Sequence, residues 1–534
     1  MKHPSETTER VAKSSFFADR TFLVGLSILF LAYVAFFCAN TFMTFRGFYM
    51  SAYDIGIHDQ AIWKLSTFNG FFNTIRGMNI WGDHCWFIMI FIAPFYWIAP
   101  RIETLLAIQT VALAAGAFPL ASYAFRKSGS HVAVLSLSAA YLLSPVLQNM
   151  NLENAHPEVL AIPFLLWMIA AADKGAWRWY GVAFFMALIC KEDIALTTFA
   201  IGIFLFLTGK RRAGAVTMIA SLLYFLFCMK VALPYWNGSG FFRFRNGYWF
   251  SEFRAHIFDL SYYSRTFFRQ EVYRYGWKLI SPLIGLPFVS PLLFMTALPG
   301  FVINVLSGNA YLTSIDYHYN YHTIPLLFAA AAGGIGKIAS WSGKRRSFDL
   351  GRLTLGILEG NARFGRRSAL TLTVAILVAS IAANLSWSRT PVNVWVSRLL
   401  YQRDTLKGSG KWERFQKMAS MIPKGDDIAL STAHNLTPAL THRNRVYFFP
   451  NPWKALYWGI DGEKRDDPAR VEWIFLDRSA IGEDILAIAD SLTESREFCK
   501  VADDGELFLA RRNASPSSAP DARPLCGEVM NLKN

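Results

Sequence analysis

Residues 179–208 read WYGVAFFMALICKEDIALTTFAIGIFLFLT. As one helix at 1.5 Å per residue this run would be about 45 Å long, well beyond the ~30 Å hydrocarbon core of a bilayer. It also carries Lys191, Glu192 and Asp193 at its middle, where charge is costly in lipid. The run therefore predicts two short helices that meet at a charged turn. The second helix ends on Lys210-Arg211-Arg212, and short basic clusters beside apolar runs mark the cytoplasmic side. The charged triplet is then on the outer side.

The same reading extends in both directions. Residues 1–20 hold Lys2, Arg10, Lys13 and Arg20 ahead of the apolar run Thr21–Phe37. No small-residue cleavage site follows, so the run reads as a first span with its N-terminus in the cytoplasm. An outer stretch, 41–102, comes next. Within it Trp86–Pro100 is too short to span and reads as an interfacial or re-entrant helix. Thr104–Phe125 runs in to Arg126-Lys127, His131–Leu147 runs out, and Val159–Ala172 runs in to Lys174 and Arg178. Ala213–Leu233 leads out to a second outer loop, 234–277. Pro282, Pro287, Pro291 and Pro299 break the apolar pair Leu279–Val289 and Leu292–Leu306. Ile324–Trp341 meets the richest basic cluster, from Lys337 to Arg367, and Ser368–Trp387 returns outward. The expectation is a polytopic helical membrane domain over 21–387 with about eleven spans. Residues 388–534 would then form a small extracytoplasmic α/β domain, with short β-type runs at Ile428–Ser431, Val446–Phe449, Val471–Leu476 and Leu507–Leu509.

Composition agrees. Of 534 residues 53% are hydrophobic and only 17% charged, against roughly a quarter charged in soluble domains. A soluble enzyme and a disordered chain are both excluded. The net charge of +15 is spread over clusters between apolar blocks and forms no single patch, so no nucleic-acid partner is expected. The six Cys show no zinc spacing. Cys38, Cys190 and Cys228 lie in apolar runs as inert thiols, whereas Cys499 and Cys526 share the polar tail and would form a disulfide only in an oxidising compartment.

Ionisable groups near membrane depth suggest function where they cluster. Under this topology the outer face collects Asp54, Asp59, Asp83 and His84 from the first loop, and Glu153, His156 and Glu158 from the second. Lys191, Glu192 and Asp193 come from the third, and Asp316, His318 and His322 from the loop before Ile324. Each piece also has an ordinary reading. Tyr53–Gln60 fits an amphipathic surface helix, and Gly82-Asp83-His84 fits a turn with a helix cap. Residues 153–158 fit an exposed loop before a proline, and the triplet fits an internal salt bridge. His318 and His322, spaced i,i+4, suit a metal pair, but His among tyrosines is common at interfaces. No metal is assigned and no cofactor is expected, although a divalent ion is compatible with the residues. The loop 234–277 places Arg243 and Arg245 among aromatics, fitting either headgroup contact or a grip on phosphate.

Tyr53-Asp54-x-Gly56-Ile57-x-Asp59-Gln60, Gly82-Asp83-His84, Pro94-x-Tyr96 and Leu105–Gln109 together resemble the bacterial membrane-protein family of domain of unknown function 2079. His156-Pro157-Glu158, Lys191-Glu192-Asp193, His318-Tyr319 and Ile324-Pro325 fit the same pattern, as do Ile422-Pro423 and Val446-Tyr447-x-x-Pro450 in the tail. That family is similar to the GT-C glycosyltransferases, which are multi-span enzymes with a large first outer loop, an acidic residue just after the first helix, and often a soluble C-terminal domain. They move a sugar from a polyprenyl-phosphate carrier on the outer face of the membrane. GT-C families often carry adjacent paired acidic residues. Here Asp54 and Asp59 are five apart, a departure that leaves the catalytic residue open.

The resemblance implies a glycosyltransferase of the bacterial inner membrane, acting with a polyprenyl-phosphate-linked sugar in the bilayer on an unknown acceptor. Transfer needs a carboxylate base and groups that hold the leaving phosphate. Asp54 is the first candidate base. Asp59 would join it only if Gly56 breaks the helix, and Glu192 is the second candidate. Asp83, His84, Glu153, His156, Lys191, Arg243, Arg245, His318 and His322 are the candidate substrate and phosphate ligands. Two other classes compete. A non-catalytic assembly or binding protein would use the tail as its recognition module. A transporter would show an inverted repeat and mid-membrane charge, and neither is visible in the sequence.

Overall fold

A computed structural model describes residues 20–238, 250–340, 362–390, 410–457, 463–513 and 530–531. The chain is mostly helical. Six helices among the described residues are long and apolar enough to cross a membrane: Arg20–Arg46, Ile102–Ser128, His131–Glu153, Arg211–Asn237, His318–Ser340 and Leu370–Trp387. Shorter apolar helices, Met89–Ile98, Ile194–Leu207 and Pro291–Leu306, accompany them.

The run quoted above is two helices, Trp177–Leu188 and Ile194–Leu207, with Lys191-Glu192-Asp193 at the joint. The second packs on Arg211–Phe227 through small residues. A Cβ at Gly214 would lie 2.5 Å from the Phe206 nitrogen and 2.6 Å from the Gly202 carbonyl oxygen, so only glycine permits this approach. The Thr198 and Ser221 hydroxyls meet at 2.8 Å across the same seam. The proline-rich stretch is broken as expected into turns and short helices between Ser281 and Leu306. In the second long loop Leu260–Phe267 and Gln270–Ile280 are amphipathic helices, the latter with Tyr273 and Trp277 exposed. Arg243 and Arg245 lie outside the described residues.

The first long loop departs from the surface-helix expectation. The helix begins at Ile57, and His58, Asp59, Gln60 and Ile62 on it are all buried. It is covered by the tail. Gln60 Nε2 donates to the Arg443 carbonyl at 3.1 Å, and Thr74 Oγ1 donates to the Val446 carbonyl at 2.6 Å. The Ala52 amide donates to the His434 carbonyl at 2.8 Å.

The tail forms a six-stranded mixed sheet. The first loop supplies a separate ribbon, β1 (Phe72–Asn73) and β2 (Met78–Asn79). The tail strands are β3 (Leu430–Thr432), β4 (Val446–Phe448), β5 (Trp473–Asp477), β6 (Phe498–Asp503), β7 (Leu507–Arg512) and β8 (Met530–Asn531), in the order β4-β3-β5-β7-β6-β8. β3 runs parallel to β4 and β5, while β7 is antiparallel to β5 and β6. Sequence patterning anticipates β3, β4 and β5 within two residues and the start of β7, which runs three residues further than expected. It misses β6, whose Lys500 and Asp503 interrupt the apolar signal. Cys499 is disulfide-bonded, and its expected partner Cys526 lies outside the described residues.

Candidate functional site

Asp54 sits at a break in the chain. The segment after the first long helix turns at Tyr53 and Asp54, and Asp54 has φ 61° and ψ −92°. A non-glycine residue in that region carries strain of about 1–3 kcal/mol and persists only where its surroundings hold it. Asp54 is half-buried, and its nearest polar partner is the Asn154 amide, 3.5 Å from Oδ2. No basic side chain pairs with it among the described residues. Burial and the neighbouring carboxylates Glu153, Glu158 and Asp83 push its pKa up to about 8.

Around it, four chain segments converge. The Lys191 ammonium lies 3.3 Å from Glu158 Oε1 and 3.9 Å from Asp193 Oδ2. Glu158 Oε1 is also 3.5 Å from His318 Nε2. Glu153 Oε2 accepts from the His318 amide at 3.0 Å and lies 3.2 Å from its Nδ1. The His156 and His318 rings stack with centroids 3.5 Å apart, and His58 meets His156 edge-on at 5.6 Å. Asp193 accepts from the Tyr321 hydroxyl at 2.7 Å and lies 3.5 Å from His322 Nε2. On the far side His84 Nδ1 is 2.6 Å from Glu192 Oε1, and Asp83 is held by Arg76 Nε at 2.7 Å. Burial pushes Glu158 up, but Lys191 and the nearby imidazoles hold it well below the usual carboxylate range.

Two expectations need correction. Asp59 does not join Asp54. The chain breaks at Asp54 itself rather than at Gly56, so the following helix carries Asp59 into the contact with the tail. There it is fully buried, accepts from the Tyr96 and Thr441 hydroxyls, and lies 3.0 Å from His442 Nε2. His318 and His322 do not form a pair on one helix face either. His318 sits in a short 3-10 turn before the helix that starts at Thr323, and the two imidazoles meet different carboxylates. The residues that could share a metal are instead Glu153, His156 and His318, whose ligand atoms all lie within 4.8 Å of one another. His156 Nε2 is buried without a hydrogen-bond partner, so this donor set fits a divalent cation.

The sequence expectation thus assembles Asp54, Asp83, His84, Glu153, His156, Lys191, Glu192, His318 and His322 in one buried region. The site set drawn from sequence lacks His58, Arg76, Asn154 and Tyr321. Arg76 was legible only as a lone Arg seven residues before Asp83, and Asn154 only as a polar neighbour of Glu153.

The family described as "Predicted membrane protein (DUF2079)" matches residues 45–498. The chain belongs to this family. No curated protein matches it in sequence. Among solved structures it is similar to ArnT from Cupriavidus metallidurans bound to undecaprenyl phosphate, with 12% identity and a TM-score of 0.55 over 93% of this chain and 99% of that one. The same protein in its apo state matches with 13% identity and a TM-score of 0.53 over 91% and 98%. At such identity the likeness is one of fold. This DUF2079 chain is therefore a multi-pass membrane protein whose fold resembles that of ArnT.

Proposed function

We propose that this protein is an integral-membrane glycosyltransferase that moves a sugar from a polyprenyl-phosphate carrier to an acceptor at the outer face of the bacterial inner membrane. The reading includes about eleven spans, a cytoplasmic N-terminus and an extracytoplasmic tail. The fold shared with ArnT, one of whose structures holds undecaprenyl phosphate, supports a lipid-phosphate donor. The observation that carries the reading is Asp54. It is a strained, half-buried carboxylate with no basic partner among the described residues, beside a buried cluster of imidazoles and carboxylates.

In the proposed step Asp54 takes the proton of the acceptor hydroxyl as its oxygen bonds to the anomeric carbon. The bond from that carbon to the phosphate oxygen breaks, and polyprenyl phosphate leaves with the electron pair. Lys191 and the His322 imidazole are the described groups nearest in kind to a phosphate grip, joined in this reading by Arg243 and Arg245. Glu153, His156 and His318 would hold a divalent ion, which would neutralise charge at a leaving phosphate. The outward Ile284, Phe288, Leu292 and Met295 on the proline-broken segment suit contact with the carrier's polyprenyl tail.

The decisive experiment is transfer of a radiolabelled sugar from a polyprenyl-phosphate donor by the full chain in nanodiscs. Asp54→Asn should abolish transfer while the chain stays folded, melting no lower than wild type. Wild-type transfer by that variant would sink the reading. A non-catalytic membrane binding protein is the second reading, favoured by one observation: Asp83, Glu158 and Glu192 already have basic partners, as in a purely structural network.

A further inference from the structure

Away from Asp54, the first long loop and the tail enclose a second polar cavity of about 480 Å³. Five basic side chains line it against two acidic ones, so the lining carries an excess of positive charge. Asp466 accepts from the Tyr447 hydroxyl and faces Arg470 at 3.5 Å, while Asp427 accepts from Asn444 Nδ2 at 2.9 Å. On the basic side Arg465 is held by the carbonyls of Pro452 and Trp453. Lys64, Arg445 and Lys464 remain.

Lys64 is only 6% exposed. Its ammonium donates to the Phe72 carbonyl at 2.7 Å and has no carboxylate within ion-pair distance among the described residues. Burial and the Arg445 charge beside it push its pKa down. Arg445 and Lys464 likewise have no acidic partner for their charged ends among the described residues. Like charges converging on a water-accessible hollow without a counter-ion destabilise a fold unless an anion fills the gap. The remaining lining suits a sugar hydroxyl: the Asn444 Oδ1 is buried without a hydrogen-bond partner, and Phe72 offers an apolar face.

We propose that this cavity, framed by Lys64, Arg445 and Lys464, binds an anionic saccharide carrying a phosphate or carboxylate group. Lys64 lies seven residues past the start of the helix that follows Asp54, about 10 Å along its axis. The cavity is therefore separate from the proposed catalytic carboxylate. Binding there needs no transfer chemistry, so it is measured independently of the proposed reaction.

The test is calorimetric titration of the full chain, held in nanodiscs of zwitterionic lipid, with glucose 6-phosphate, glucuronate and neutral glucose. The two anionic sugars should bind and glucose should not. The double substitution Arg445→Gln with Lys464→Gln should weaken anionic-sugar binding about tenfold or more, and Arg445→Lys should retain part of it. Affinity should fall as salt rises. Lys464→Gln alone, at an exposed position, provides a variant whose melting transition matches wild type. Equal binding by wild type and the double variant, or no binding of either anionic sugar, would overturn the proposal. Nanodiscs containing phosphatidylglycerol distinguish the other source of phosphate. If that lipid displaces the sugar, the cavity is a headgroup site and the saccharide assignment fails.

Discussion

Nδ1 of His84 lies 2.6 Å from Oε1 of Glu192, tying the first long loop to the charged joint between Trp177–Leu188 and Ile194–Leu207. Glu192 Oε2 also accepts from the Cys85 amide at 2.9 Å. For His84, burial pushes the pKa down but Glu192 more than offsets it, so the net shift is upward. For Glu192, burial pushes up and His84 with Lys191 pull it below its ordinary value. A raised His contributes stability that is full below its unfolded pKa and is lost as pH rises through its folded one. A lowered Glu contributes stability above its unfolded pKa that is lost as pH falls through the folded one. The pair should therefore stabilise the fold most between about pH 4.5 and 6.5. Glu192→Gln should flatten this dependence and destabilise the chain by about 3 kcal/mol. Melting of both proteins in nanodiscs across pH reads the difference.

Asp54 sets a different pH dependence. Its pKa of about 8 keeps it protonated at neutral pH in the free protein, so the basic form appears only as pH rises. Transfer measured as kcat/KM should climb through about pH 8. The same raised pKa means that stability falls as pH rises from the ordinary carboxylate range toward 8. Asp54→Asn should remove both effects, which separates a proton-accepting role from a purely structural one.

Asp59 gives the contrasting case. It is wedged among Tyr96, Thr441 and His442. Asp59→Asn should lower the melting temperature while leaving the pH–rate profile of transfer unchanged in shape. A shift in that profile would return Asp59 to the catalytic set.

Arg76 is 1% exposed and binds Asp83 through Nε at 2.7 Å and Nη2 at 3.3 Å, with Glu463 of the tail on its Nη1. Arg76→Ala leaves two buried carboxylates without their cation and should destabilise the chain by about 3–5 kcal/mol. Arg76→Lys should recover only part, because an ammonium lacks the planar fork. Limited proteolysis should show the tail cleaved earlier in both variants.

At the seam between Ile194–Leu207 and Arg211–Phe227 the helix backbones touch at Gly202 and Gly214. Gly214→Leu forces the helices apart and should reduce the yield of folded protein several-fold, since the clash is with backbone atoms that have no alternative rotamer. Gel filtration of detergent extracts checks it. An unchanged folded yield would mean that the helices have room to separate.

Length and hydropathy alone determined that this chain is a multi-span membrane protein. Two short helices at Trp177–Leu188 and Ile194–Leu207, with charge at their joint, follow from a run too long for one span and too apolar for water. Periodicity also placed most strands of the tail, because β3, β4, β5 and β7 are short apolar runs between turn residues. The pool of functional residues was legible because ionisable groups beside apolar blocks are few and expensive. Which of them act together was decided only by tertiary structure. Asp54 and Asp59 look equivalent in sequence, and a backbone break at Asp54 sends one toward Asn154 and the other into the tail. His318 and His322 suggest a pair by spacing, but a 3-10 turn assigns one to Glu153 and Glu158 and the other to Asp193. Arg76, Asn154 and the cavity at Lys64 carry no local signature. Their roles come from contacts that reach across the chain, 387 residues from Arg76 to Glu463 and 100 from Asn154 to Asp54, which local periodicity does not encode.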